Sequence, residues 1–412
     1  MKMTISPRQG AFLAGNIIVT SSIVALPQSL IDLALQNTWL VPILLSLYVF
    51  VIIYFSFFLA KSTDSIKEKL TTEQTNWKVK ILALLLFIYI FHLLLRDLRF
   101  VSGFIEVTLL PLTPLYIITM LIILTSLYIT WGGVEVIARF TELYYFLFIG
   151  VILFVPISLI SQFEVENFEP IIGLEMIPSI LQSTFIGLNW VGEIVVLFLI
   201  IGFIEPINKM KSSILYGSLS GVFLLFVIIF SQIAVLGPEI VRYSAYPSYT
   251  LVQQIRLTDF LDRLDFILVA LYFPTLFAKF SLLIYGLNRS LSLISGVKTK
   301  FTKIPLSIIA GILSITLFTD KADHFEFNIY TWSTLGLLFQ LMILLFMFII
   351  VKSKTMKNDT INNMEKNNQC KDETEDSGQQ NPKDEQYDKE QTKTEEKQGN
   401  RDGESQSDSS KS

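Results

Sequence analysis

Long uninterrupted apolar runs, divided by short polar stretches, dominate the first 352 positions of the chain. A bilayer core about 30 Å thick takes roughly 20 apolar residues in a helix. Ten runs approach that length: Ala11–Leu35, Trp39–Leu59, Ile81–Leu95, Leu115–Thr130, Tyr144–Ile160, Ile177–Ile204, Ile214–Leu236, Phe266–Ile284, Ile304–Phe318 and Ile329–Val351. The ninth is the shortest, at 15 residues. The runs are continuous rather than alternating, which excludes transmembrane strands. The pattern predicts an all-α polytopic membrane protein with about ten transmembrane helices.

The pattern stops at Ser353. From there to Ser412 only Met356, Ile361, Met364, Cys370 and Tyr387 are hydrophobic, and 15 acidic residues face 10 basic ones. Such a segment cannot bury enough surface to offset its chain entropy. Two regions are therefore expected: a transmembrane domain over 1–352 and a disordered cytoplasmic tail over 353–412. Hydrophobic residues make up 52% of all 412, too many for a soluble enzyme or a nucleic-acid binder. Cys370 is the only cysteine, so no disulfide forms within the chain.

Loop charge orients the spans. With the N-terminus in the cytoplasm, 17 Lys and Arg lie on the cytoplasmic side and 6 outside. Both termini are then cytoplasmic. Trp39, Trp77, Trp131 and Trp332 fall at predicted span ends, as an interfacial belt requires, whereas Trp190 does not.

Ten helices with both ends inside divide into two inverted sets of five. Transporters built that way bind at the midplane, between the interrupted first helices of the two sets. Helix 1 carries Gly15, Asn16, Thr20, Ser21, Ser22 and Pro27 in its middle, and helix 6 carries Gly187, Asn189, Gly192 and Glu193. These are corresponding positions. Small polar residues also serve helix packing in membranes, but their presence in both helices favours a substrate site.

Several short motifs stand in order along the chain: ISPRQ at Ile5–Gln9, LP at Leu26–Pro27, LLRDL at Leu94–Leu98, LPLTP at Leu110–Pro114 and WGGVEVIAR at Trp131–Arg139. NFEPIIG follows at Asn167–Gly173, then GE at Gly192–Glu193, YP at Tyr246–Pro247, DRLD at Asp262–Asp265 and FAKF at Phe277–Phe280. In these the chain resembles the B subunits of endospore germinant receptors (GerAB-like spore germination permeases), within the amino acid–polyamine–organocation transporter superfamily. The resemblance spans roughly residues 4–350; the tail departs from it. It implies a LeuT-like 5+5 inverted-repeat fold in the spore inner membrane or cell membrane. It also implies sensing of a small nutrient, an amino acid first of all, and partnership with germinant receptor A and C subunits. An amino acid/proton symporter of the same fold is the alternative, and a membrane scaffold that binds nothing is the second.

Individual residues sharpen these expectations. Glu193 is the only charge between Ile177 and Ile204; a carboxylate there must pair, face water or take a proton. It reads as a ligand-ammonium or proton site, against a carboxyl that only fixes packing. Lys279 lies about ten residues from the inner end of helix 8, roughly mid-depth at 1.5 Å per residue. Snorkelling is one reading. The other takes its lead from LeuT-like relatives: the ammonium occupies a sodium position, held by the hydroxyls of Thr20, Ser21 and Ser22 and balanced by Glu193.

His92, Arg96 and Arg99 share one face of helix 3, with Asp97 beside them. They read as an anchoring cluster at headgroup level, with an outer gate as the alternative. Trp190 is core packing or an aromatic lid, and Tyr89 and Phe273 are further lining candidates. The two histidines give no metal site. There is no nucleophile–base pair, P-loop or nucleotide fingerprint, so neither an enzyme nor a cofactor is expected. The partners expected are the nutrient, the A and C subunits and lipid, with no nucleic acid.

Overall fold

The computed structural model describes residues 4–58, 77–170, 173–206, 209–255, 264–297, 301–318 and 326–350. The polar tail, the Asp262–Arg263 half of the DRLD motif and several of the charged loops counted above lie outside the described residues.

Helix α1 (Pro7–Ala34) opens on a capping box: the Gln9 backbone N–H donates to Ser6 Oγ at 3.2 Å and the Ser6 N–H donates to Gln9 Oε1 at 3.0 Å. Pro7 takes the first helical position, where no N–H is needed. The helix closes at Leu35 (φ 46°), and the 3-10 stretch Leu35–Leu40 leads into α2 (Val41–Phe58). Then follow α3 (Trp77–Thr108), α4 (Leu115–Trp131), α5 (Gly133–Ser158) and α6 (Ile177–Val191). After them come α7 (Met210–Tyr243), α8 (Leu264–Ser295), α9 (Lys303–Thr316) and α10 (Ile329–Ile350).

Seven helical runs among the described residues are long and apolar enough to cross a membrane, and α4 and α9 are shorter apolar helices. The first run, Pro7–Tyr54, contains α1 and most of α2. All ten sequence-predicted spans are thus helical. Large hydrophobics such as Leu47, Val51, Met120, Tyr128, Leu341 and Leu345 stay exposed on the outer faces of α2, α4 and α10, where lipid satisfies them.

Several boundaries differ from expectation, with α5 starting at Gly133 rather than Tyr144 and α8 running to Ser295 rather than Ile284; two more have a clear physical reason. Helix 3 does not stop at Leu95 but continues through its charges to Thr108, because those charges find partners inside the protein. Helix 7 runs past Leu236 to Tyr243 and bends at Gly237, whose φ of 74° precedes Pro238. A short helix, Pro247–Val252, then precedes α8.

Close backbone approach fixes α1 against α7. A Cβ on Gly217 would strike the Ala11 carbonyl, and one on Gly221 would lie 2.7 Å from the Gly15 carbonyl oxygen. Small residues let membrane helices approach this closely. α8 lies against α3, α4 and α5. α1, α3, the continuation of α6 and α8 meet at the centre.

Candidate functional site

Four charged side chains are wholly buried where these helices meet: Arg96 and Asp97 from α3, Glu193 from beyond α6, and Lys279 from α8. Glu193 follows Gly192, where the α-helix gives way to a 3-10 stretch, Gly192–Leu199. Such a change of helix type in mid-membrane turns side chains inward and often marks a functional hinge.

The charges bind one another. Arg96 Nε and Nη2 donate to Asp97 Oδ1 at 2.9 and 2.6 Å, and Nη2 also donates to Glu193 Oε1. The Lys279 ammonium donates to Glu193 Oε2 at 2.6 Å and to Ser21 Oγ of α1. It stands 2.9 Å from Asp97 Oδ2, although Oδ2 accepts no well-aligned hydrogen bond. The indole of Trp190 carries the Arg96 guanidinium 3.8 Å from a ring centroid, a desolvated cation–π contact worth about 2 kcal/mol. Two cations and two carboxylates sum to zero, the condition under which charge persists at such depth.

Lys279 therefore does not snorkel. Ser21, Glu193 and Lys279 come together, while Thr20 and Ser22 do not reach the ammonium. The Ser22 hydroxyl donates to the Ile18 carbonyl one turn back; Thr20 Oγ1 bonds Asn16 at its carbonyl and at Oδ1, 2.5 and 2.9 Å. The expected interruption of helix 1 is absent: α1 is continuous, and its small polar residues other than Ser21 serve such back-bonds, packing and a bond from Asn16 Nδ2 to the Thr275 carbonyl of α8 at 3.1 Å. Gly15 belongs to that packing, closed over by the Tyr145 hydroxyl and Gly217. Gly187 similarly faces Leu45 of α2.

The helix 3 charges are corrected as well. Arg96 and Asp97 are not a headgroup-level anchor but half of the central cluster. Arg99 turns another way, donating from Nε to the Phe318 carbonyl at 3.0 Å. His92 stacks on Trp332, ring centroids 3.4 Å apart. Trp332 is consequently buried, not part of an interfacial belt. Phe273 stacks along α8 on Phe277 and reaches none of these groups in the described contacts.

A polar seam joins α3, α6 and α10 beside the cluster. Gln340 Nε2 donates to Tyr89 Oη at 2.7 Å, to the Asn189 carbonyl at 2.7 Å and to Asn189 Oδ1 at 3.1 Å. Its Oε1 accepts from Tyr48 at 3.2 Å. Gln340 was missed from sequence, yet it is the only polar side chain between Leu335 and Ile350. A lone amide in an apolar run was the available signal. Gly192 fits here: a side chain at this position would occupy the place of the Gln340 amide.

A separate apolar crevice of about 60 Å³ lies among α1, α3, α5, α7, α8 and the short helix, lined by Ile23, Phe104, Phe148, Ile152, Leu268 and Tyr272 among others. Tyr272 divides it from the cluster, its hydroxyl donating to the Thr20 carbonyl. Ser248 ties the short helix to α1 through the Ile23 carbonyl and accepts from Gln232 Nε2 of α7 at 2.9 Å. Tyr246 and Tyr249 meet Phe104 edge-on, at 5.1 and 5.8 Å. Burial pushes the Tyr246 hydroxyl up to about 12, so the phenol stays neutral at physiological pH. No group of three or more metal-ligating side chains occurs among the described residues.

The fold is shared with a solved transporter, Mhp1 of the nucleobase-cation-symport-1 family, determined in a closed conformation with bromovinylhydantoin bound. The TM-score is 0.51 at 10% identity, covering 79% of this chain and 75% of that one. It places the chain on a LeuT-like architecture. Sequence relatives are nearer. Putative spore germination protein YfkT of Bacillus subtilis (strain 168) is 28% identical, covering 85% of this chain and 97% of the relative. Spore germination protein A2 of the same organism is 24% identical over 84% and 95%. A family model described as spore germination protein matches residues 4–325. The chain is thus a multi-pass membrane protein that belongs to the spore germination protein family.

Proposed function

We propose that the chain is the B subunit of a germinant receptor, binding a small nutrient at the junction of α1, α3, α6 and α8 and passing the signal to A and C subunits. The observation that carries this reading is the neutral cluster Arg96–Asp97–Glu193–Lys279. Four buried charges from three elements, touched by a fourth through Ser21, cost far more than apolar packing would, and intramembrane ionisable groups mark ligand and ion pathways by default. An amino acid offers both charges with which to exchange these partners. Lys279, fixed on Ser21 between α1 and α8, supplies a cation of the chain's own, so ligand binding needs no sodium.

Purified chain in proteoliposomes separates the readings. Saturable binding of a labelled amino acid without its accumulation supports the receptor. Accumulation driven by a proton gradient makes the chain a symporter instead. Absence of binding by any nutrient that triggers germination of the parent spores leaves only the scaffold. Co-purification with A and C subunits tests the partnership separately.

A further inference from the structure

Arg96 and Asp97 belong to the central cluster; Arg99, the third buried charge of α3, does not. It is 5% exposed. Its Nε donates to the Phe318 carbonyl at the C-terminal end of α9, where a cation complements the helix dipole. That contact uses one of the five guanidinium N–H groups. Neither Nη atom has a hydrogen-bond or ion-pair partner among the described residues. A cation so deeply placed is costly without a counter-charge. The central cluster is already neutral and offers none.

Gly103, one turn along α3, leaves room beside those groups. A Cβ there would lie 3.4 Å from Arg99 Nη1 and 3.6 Å from Tyr246 Oη, so the two atoms are no more than 7.0 Å apart, and Gly103 puts no side chain between them. The Tyr246 hydroxyl also has no hydrogen-bond partner among the described residues. Its ring and that of Phe104 line the apolar crevice. Apart from Ser248 and the tyrosine hydroxyls, that crevice is walled by hydrocarbon. A cation and a phenol thus stand beside a dry apolar space. Glu106, two turns beyond Arg99, is the weaker of the two charges that Tyr246 senses and has contacts of its own.

We propose that Arg99, Tyr246 and the crevice form a second ligand site, for a short aliphatic monocarboxylate: the carboxylate lies over Gly103, and the chain runs along the Phe104 and Tyr246 rings into the crevice. Two donors at that separation are bridged by the two oxygens of one carboxylate, each about 2.8 Å from its donor. Charge fixes the head group. One carboxylate cancels Arg99, whereas a divalent phosphate would leave a net negative charge at this depth. Volume fixes the tail. At about 60 Å³ the crevice has less than half of the roughly 150 Å³ that accommodates benzene, so it takes a chain of butyrate size and not an aromatic ring. An α-amino acid is disfavoured, because its ammonium would enter an almost wholly apolar lining. The site is independent of the central cluster and of the ligand proposed there.

The test uses full-length chain in nanodiscs, with radiolabelled butyrate read against empty nanodiscs and with acetate, benzoate, butyramide and 2-aminobutyrate as competitors. Butyrate should bind saturably, with about a fourfold gain over acetate for each added methylene. Butyramide, benzoate and 2-aminobutyrate should each be at least about tenfold weaker than butyrate. Arg99→Gln and Tyr246→Phe should each weaken butyrate about tenfold and leave butyramide unchanged, a pattern that general loosening would not give. Leu268→Phe, which fills the crevice, should abolish the gain from acetate to butyrate while leaving acetate in place. Should Arg99→Gln fail to fold through loss of the α9 contact, Tyr246→Phe, Leu268→Phe and the wild-type ratios still decide. No saturable butyrate binding, equal binding of butyrate and butyramide, or tighter binding of 2-aminobutyrate overturns the site. Undiminished chain-length dependence in Leu268→Phe overturns the crevice as the seat of the chain. Each of these results leaves the reading of the central cluster untouched.

Discussion

Lys279 Nζ and Glu193 Oε2 are 2.6 Å apart, and both side chains are entirely withdrawn from solvent. Neither charge would be tolerated at this depth alone. Glu193→Gln and Lys279→Met should each destabilise the purified protein by about 3–5 kcal/mol, because each leaves an uncompensated buried charge. The double variant restores neutrality and should be more stable than the sum of the two single losses. Thermal unfolding in detergent, run as a double-mutant cycle, measures this. Additive losses would mean that the two groups do not act as a pair.

Gly192→Leu tests the α6–α10 contact. The added side chain needs the place of the Gln340 amide, so the variant should insert but lose about 1–3 kcal/mol through overpacking and the broken amide contacts. Gln340→Ala alone costs stability; combined with Gly192→Leu it should recover part of the loss. If Gly192→Leu is as stable as wild type, the two helices are not in close contact.

How the sequence and structure correspond is clearest at these same positions. Glu193 and Lys279 stood out as lone charges in apolar runs, and arithmetic along the helix put Lys279 near mid-depth. Arg96 and Asp97 were placed wrongly. Their partners Glu193 and Lys279 lie 97 positions beyond Arg96 and 182 beyond Asp97, and from helix 3 alone a charged face looks like the end of a span. Helix 1 misled for the opposite reason. Its glycine and hydroxyls suggested a break, but back-bonds to the preceding turn and tight packing on α7 use the same residue types. Trp332 sits near a span end by position, yet stacking on His92 buries it.

Opening of the short helix Pro247–Val252 should depend on Ser248, which holds it to α1 and α7. Ser248→Ala removes hydrogen bonds worth about 1 kcal/mol, or roughly fivefold in an opening equilibrium. Cys370→Ser gives a cysteine-free chain, and Leu268→Cys in that background reports access to the crevice. Maleimide labelling should be about fivefold faster when Ser248→Ala is added. An unchanged rate would show that the tether does not control entry.

Truncation after Lys357 removes a segment almost devoid of apolar residues. Membrane insertion and nutrient response should both survive, since a segment of that composition has too few apolar side chains to build a core. A truncated protein that inserts normally but no longer supports germination would make the segment a docking element.

If the buried cluster is the ligand site, Lys279 serves as its built-in cation. Equilibrium binding of a radiolabelled germinant amino acid to the purified chain tests it most directly, in sodium and in choline, for wild type, Lys279→Met and Lys279→Arg. Wild-type affinity should be equal in the two salts, with at least about a tenfold loss for Lys279→Met per mole of folded protein recovered. Lys279→Arg should rescue poorly, because a planar fork does not replace a point charge in a tight site. Wild-type affinity in Lys279→Met, or binding that requires sodium, would contradict it.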